Sequence, residues 1–134
     1  MTDIGAALLL ESIKEFSKIA SHRKLIFNTY KKILSKNKNV TVVDSSDGKG
    51  HVHWLFTILV KKKDYLQKQL RSKLIETNQV HFRNDKYSIF KRFAKKNAYP
   101  NMDSIEDKYL VLPLHHKITV SDVKYICSLI NKYI

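Results

Sequence analysis

The run Val52-His53-Trp54-Leu55-Phe56-Thr57-Ile58-Leu59-Val60 constrains this chain more than any other stretch. In an extended backbone Val52, Trp54, Phe56, Ile58 and Val60 fall on one face, and Leu55 and Leu59 make the other face partly apolar. Such a strand is expected at the centre of a sheet, covered on both sides. It needs neighbouring strands and helices, and the flanking sequence supplies both.

From Thr2 or Asp3 to about Ser35 the pattern is helical. Ile4, Leu8, Ile13, Phe16, Ala20, Phe27, Tyr30 and Leu34 recur close to a 3.6-residue period. Acids lie early and lysines late, which complements the helix dipole. The Ser21-His22 region is a point where this helix could bend or divide. Its first turns are apolar nearly all round, which predicts packing against something the chain does not contain. Val40 to Val43 reads as a short strand, and Asp44 to Gly50 as a hairpin-type loop. Asp64, with Gln67 three residues on, predicts a capped helix with a Tyr65, Leu66, Leu70 and Leu74 stripe. A strand leading into His81 and Phe82 follows, then a polar turn and a loop-rich stretch through Tyr99-Pro100-Asn101. Ser104 to Lys108 reads as one helical turn and Tyr109 to Leu112 as a strand ending at Pro113. Thr119 and Asp122 form a capping box that opens the last helix, with Val123, Ile126, Cys127 and Ile130 as its stripe. The fold class is α+β. Its 134 residues suit a single domain, with a helix over 1–36 leading into an α+β portion over 37–134.

Lys and Arg number 25 against 12 acids, a formal charge of +13, which raises nucleic acid or an anionic membrane as partners. The basic residues are spread along helices and turns and are mostly lysine, as on solvated faces. Nucleic acid and membrane are therefore not the expected partners. Cys127 is the lone cysteine and lies in an apolar helical stripe, so it reads as a core residue in a reducing compartment. No apolar run reaches membrane-spanning length. Ala6 to Leu10 lacks the basic flank and the cleavage site of a signal peptide, so the expected location is the cytoplasm.

Six histidines occur, but no HExxH or paired CxxC spacing accompanies them, and no metal is expected. There is no Walker loop, GxGxxG or GxSxG elbow. The element order would suit an RNA-recognition-like module, yet Lys86-Tyr87-Ser88-Ile89-Phe90 is a poor match to an RNP pattern. What remains is Val80 to Phe90, where His81, Arg83, Asn84, Asp85 and Tyr87 concentrate an imidazole, a guanidinium, an amide, a carboxylate and a phenol. A guanidinium is a planar partner for phosphate or carboxylate, and the other groups bind hydroxyls. The competing reading is a polar surface turn.

An ordered series of motifs carries a family resemblance over essentially the whole chain. Met1-Thr2-Asp3-Ile4-Gly5-Ala6-Ala7-Leu8 resembles the M-[ST]-D-I-Q-A-A-L segment of the DegT/DnrJ/StrS sugar aminotransferases. Arg23 sits in the long helix where the family is arginine-rich, and Tyr30 follows in its R…Y…L register. His53-Trp54-Leu55-Phe56 resembles its aromatic strand, and Val80 to Phe90 the VHxRNDxYxxF variant of lipopolysaccharide-sugar members. Leu112-Pro113-Leu114-His115 with Thr119 and Asp122 is similar to the LPLH…LT-x-x-D ending. Gly5 departs from the usual glutamine, and Leu74 stands where the family tends to have glycine.

The resemblance implies the small C-terminal domain of a fold-type I enzyme dependent on pyridoxal 5'-phosphate (PLP). Such enzymes move an amino group, usually from glutamate, onto a keto-sugar nucleotide for lipopolysaccharide, O-antigen or other surface sugars. Some relatives dehydrate instead. The family's aldimine lysine, ring-nitrogen carboxylate and most phosphate ligands lie in the large domain upstream, so the chain alone is expected to be inactive and to hold no PLP. Its partners would be that large domain and a second subunit of a homodimer. His81, Arg83, Asn84, Asp85 and Tyr87 would then bind substrate. Arg83 would meet a phosphate or the amino donor's carboxylate, while His81 and Tyr87 would hold sugar hydroxyls. The structural alternative is that Arg83 and Asp85 pair and lock the turn. Outside the resemblance, the alternative function is a stand-alone basic α+β nucleic-acid-binding or interaction module.

Overall fold

A computed structural model describes residues 2–44, 52–93 and 99–134. Helix α1 runs unbroken from Asp3 to Leu34, about 48 Å at 1.5 Å per residue. Thr2 caps it by accepting from the Gly5 amide at 3.2 Å, and Lys31 and Lys32 occupy its last turn. The helix does not divide at Ser21-His22. His22 instead fastens it, with Nε2 2.9 Å from the Ile118 carbonyl oxygen.

Three strands, β1 (Val40–Val43), β2 (Phe56–Val60) and β3 (Tyr109–Leu112), form an antiparallel sheet in the order β1-β2-β3. Val42, Ile58 and Leu110 lie abreast in register. The apolar stretch from Val52 thus yields a central strand, but a shorter one than its pattern predicts. Val52 to Leu55 approach it as irregular chain. Coverage is also one-sided. Phe56, Ile58 and Val60 are buried, while Thr57 and Leu59 on the outer face are half-buried.

The inner face packs against α1, α2 (Lys63–Arg71) and α4 (Val120–Tyr133). Ile26, Phe27, Tyr30 and Leu34 of α1 meet Phe56 and the α4 residues Val123, Ile126, Cys127 and Ile130 in one core. Tyr30 stacks on Phe56 at 4.7 Å between ring centroids. The α1 residues before Ile26 take no part, and Ile4, Leu8 and Leu10 stand 75%, 66% and 63% exposed. Cys127 is buried, and burial pushes its thiol up to about 12, which removes it from nucleophilic chemistry.

Local chemistry explains where the elements begin and end. The Thr119–Asp122 capping box forms, with Thr119 Oγ1 accepting from the Asp122 amide and Asp122 Oδ2 accepting from the Thr119 amide. Asp64, by contrast, does not cap α2. The helix begins at Lys63, with Lys62 at the cap position two residues before Asp64 and no side-chain cap, and Gln67 Nε2 donates to the Thr77 carbonyl at 2.8 Å. Asp64 remains in the first turn, where a carboxylate favours the dipole. Helix α3 spans Pro100–Ile105 rather than 104–108, because Pro100 sits at its first position, where the missing N–H costs nothing.

Helix α2 ends in a Schellman arrangement. The Ile75 amide donates to the Leu70 carbonyl and the Leu74 amide to the Arg71 carbonyl, with Leu74 at φ 60°. Leu74 therefore leaves the expected buried stripe and is almost wholly exposed, and Tyr65 is exposed as well. The loop over Asp44 to Gly50 lies, apart from Asp44, outside the described residues.

Candidate functional site

The segment Val80 to Phe90 does not enter as a strand. The nearest ladder contact among the described residues is a bridge between Asn78 and Val111, two residues before Val80. In this antiparallel register Val80 would stand opposite Tyr109, and no further pair forms there among the described residues. Val80 to Phe82 cross as irregular chain into two 3-10 turns, Asn84–Lys86 and Ser88–Phe90.

Arg83 is the hub of this turn. It is only 7% exposed, and it donates through Nε to Asp85 Oδ1 at 2.9 Å and through Nη2 to Asp85 Oδ2 at 2.6 Å. Nη1 donates to Asp103 of α3 and to Glu106 Oε2 at 3.3 Å. Four of its five N–H groups are thereby taken by carboxylates. Lys86 Nζ joins the network at Glu106 Oε2, 2.6 Å away. The hydrogen bonds from Arg83 to Asp85 and Asp103 raise the guanidinium's pKa further, and Arg83 in turn holds Asp85 below the usual carboxylate range. The bidentate pair is the geometry of the turn-locking alternative, because three carboxylates fill the fork an incoming phosphate would need.

The other three polar side chains face outward. His81 is exposed, with its ring 5.9 Å from Trp54 in an edge-on contact. Trp54 is held at its backbone, since Arg23 of α1 donates through Nη1 to the carbonyls of His53 (3.2 Å) and Trp54 (3.3 Å). Tyr87 is half-exposed and packs edge-on to Phe82 at 5.0 Å. Asn84 is exposed, and its carbonyl accepts from the Tyr87 amide at 3.2 Å. Imidazole, amide and phenol on a rigid turn offer donors and acceptors suited to a hydroxylated ligand. No contact among the described residues joins His81 directly to Asn84 or Tyr87.

Asp103, Glu106 and Trp54 belong to this site, and sequence reading missed them as partners. The first two lie 20 and 23 residues from Arg83, beyond any local spacing rule. The available signal was the acidic cluster Asp103, Glu106 and Asp107 in an otherwise basic chain.

The profile of the DegT/DnrJ/EryC1/StrS aminotransferase family matches residues 1–131. A UDP-4-amino-4,6-dideoxy-N-acetyl-beta-L-altrosamine transaminase of Campylobacter jejuni is 25% identical over 131 residues, covering 94% of this chain and 35% of the relative. GDP-perosamine synthase of Vibrio cholerae is 24% identical over 138 residues, covering 99% and 37%. The chain thus spans about a third of the length of these curated relatives. Among solved structures, the sugar aminotransferase CalS13 of Micromonospora echinospora superposes with a TM-score of 0.91 at 20% identity, over 98% of this chain and 35% of that one. A Streptococcus pneumoniae chain solved in its PLP form gives 0.87 at 20% identity, over 99% and 36%. These likenesses share one fold: helices over a small antiparallel sheet.

Proposed function

Since the chain belongs to the DegT/DnrJ/EryC1/StrS aminotransferase family, we propose that it is the C-terminal portion of a PLP-dependent enzyme that transfers an amino group from glutamate to a keto-sugar nucleotide. The family match over residues 1–131 carries this reading. Two relatives whose names specify nucleotide-linked amino sugars support the substrate class, one UDP-linked and one GDP-linked. Surface-sugar biosynthesis in the cytoplasm is the setting that fits it.

In this reading the PLP site lies outside this chain. A covalently held cofactor needs a lysine amine opening onto a pocket beside a carboxylate for the ring nitrogen. Lys63 has a side chain only 13% exposed, but its Nζ is 3.4 Å from both Gln79 Oε1 and the Glu106 carbonyl. When bound, PLP supplies the electron sink for amino transfer, and in this proposal the large domain provides its lysine. The exposed apolar face of α1 before Ile26 suits docking on that domain and at the interface of a homodimer.

Within the whole enzyme, His81, Arg83, Asn84, Asp85 and Tyr87 form the small domain's substrate-facing turn. Arg83 and Asp85 hold its shape, while His81, Asn84 and Tyr87 present hydrogen-bonding groups to sugar hydroxyls. The test is glutamate-dependent amination of a UDP- or GDP-linked keto-sugar by the full-length protein. The isolated chain, incubated with PLP and reduced with borohydride, should yield no stoichiometric adduct at one lysine. Absence of turnover by the full-length protein, together with selective single-strand binding, would instead favour a nucleic-acid module.

A further inference from the structure

The antiparallel order brings the entry of β1, the exit of β2 and the entry of β3 to one end of the sheet. Each of these strand ends carries lysine. Lys38 stands just ahead of Val40, Lys61 and Lys62 directly follow Val60, and Lys108 directly precedes Tyr109. The four surround a cavity of about 520 Å3, within the size range of small-ligand sites. Its wall is Leu59, Ile105 and the half-buried Tyr133, with the hydroxyl residues Thr41 and Ser104 beside them.

No acidic side chain lines this cavity, and none of the four lysines makes a side-chain hydrogen bond or ion pair among the described residues. The main-chain oxygen of Ile134 at the rim accepts from Asn39 Nδ2 at 2.8 Å. Some cations elsewhere are neutralised, while what sets these four apart is that they line one cavity without a side-chain carboxylate. Lys31 pairs with Asp44, Lys86 with Glu106, and Arg83 with three carboxylates. Four like charges around a concavity with low-dielectric walls focus a positive potential into it, which an anion relieves. Ammonium groups on flexible stems act as point charges for phosphate.

We propose that this pocket binds a small oligophosphate, either inorganic or as the di- or triphosphate arm of a nucleotide. Several negative charges in a short chain match four cations delivered from three strand ends. A long polyanion would call for a continuous basic stripe, whereas these lysines ring a pocket. The pocket lies at the opposite end of β2 from Trp54, about 17 Å along a five-residue strand. The inference is independent of the role given to the Arg83 turn.

Calorimetric titration of the chain with sodium tripolyphosphate, with ATP and with a single-stranded oligonucleotide tests the proposal. Saturable one-to-one binding of tripolyphosphate that weakens with salt is expected, with amide shifts at Thr41, Leu59, Ser104 and Ile105. Equal affinity for ATP assigns the phosphate arm alone, and tighter ATP binding adds the base against Tyr133. The triple variant Lys38→Gln, Lys62→Gln, Lys108→Gln should lose at least tenfold in affinity. The charge-matched control Lys68→Gln, Lys73→Gln, Lys124→Gln should keep it, with circular dichroism unchanged in both. Absence of saturable binding, equal losses in the two triples, shifts confined to other residues, or tighter binding of the oligonucleotide would each overturn the proposal.

Discussion

Arg83 grips Asp85 two residues away with a two-pronged fork, Nε to Oδ1 at 2.9 Å and Nη2 to Oδ2 at 2.6 Å. Asp103 and Glu106 complete the enclosure from α3 and just beyond it. Lysine cannot reproduce the fork, although it keeps the charge. Arg83→Lys should therefore lower Tm by several degrees, and in the full-length enzyme should leave KM for the sugar nucleotide nearly unchanged. A raised KM with an unmoved Tm would mean that Arg83 binds the substrate's anion directly.

Leu74 holds φ 60° at the end of α2 with its side chain 96% exposed. An L-residue in that region costs about 1–2 kcal/mol, whereas glycine occupies it freely. The exposed side chain contributes no burial to offset the strain. Leu74→Gly should stabilise the chain by about 0.5–1 kcal/mol after the extra unfolded-state entropy of glycine is deducted. Chemical denaturation measures this, and a loss of stability would show that the Leu74 side chain has packing worth more than the strain.

The lesson for reading the sequence is uneven. Interactions within three or four residues were legible, so Thr119 with Asp122 gave the start of α4. The apolar alternation of Val52 to Val60 found the centre of the sheet but not its length, because pairing stops at Phe56 with Leu112, one residue before Pro113. Val80-His81-Phe82 has strand-like alternation and no partner strand among the described residues beyond the Asn78 bridge, so the pattern alone misled. At Asp64 the capping spacing was present, yet Gln67 was drawn to the Thr77 carbonyl ten residues on. The departure from glycine at Leu74 could be read in the sequence, but its consequence, a strained left-handed residue, could not.

The Tyr30 hydroxyl is buried with no hydrogen-bond partner among the described residues, and burial raises its pKa far above the ordinary phenol range. Removing an unsatisfied buried hydroxyl relieves a desolvation cost while keeping the stack on Phe56. Tyr30→Phe should be neutral or stabilising by up to about 1 kcal/mol. A clear loss of stability in urea denaturation would reveal a partner for that oxygen.

Acid sensitivity follows from two depressed carboxylates. The hydrogen bond from Arg83 lowers Asp85, and hydrogen bonds from the Thr119 hydroxyl and amide lower Asp122. Groups with folded pKa values below the unfolded value stabilise fully above that value, near 4, and the contribution disappears as pH falls through the folded pKa. Tm should be flat from about pH 7 to 5 and drop below about pH 4. The double variant Asp85→Asn, Asp122→Asn should start from a lower Tm at neutral pH and show a shallower acid limb. Parallel acid limbs in the two proteins would contradict the assignment.

The central claim is that residues 1–131 are the small-domain portion of an aminotransferase about three times as long. Sequencing the DNA upstream of the Met1 codon tests it most directly. The account predicts an open frame that continues into a large domain carrying a PLP-binding lysine. A stop codon and a ribosome-binding site immediately before Met1, in an intact expressed gene, would contradict it.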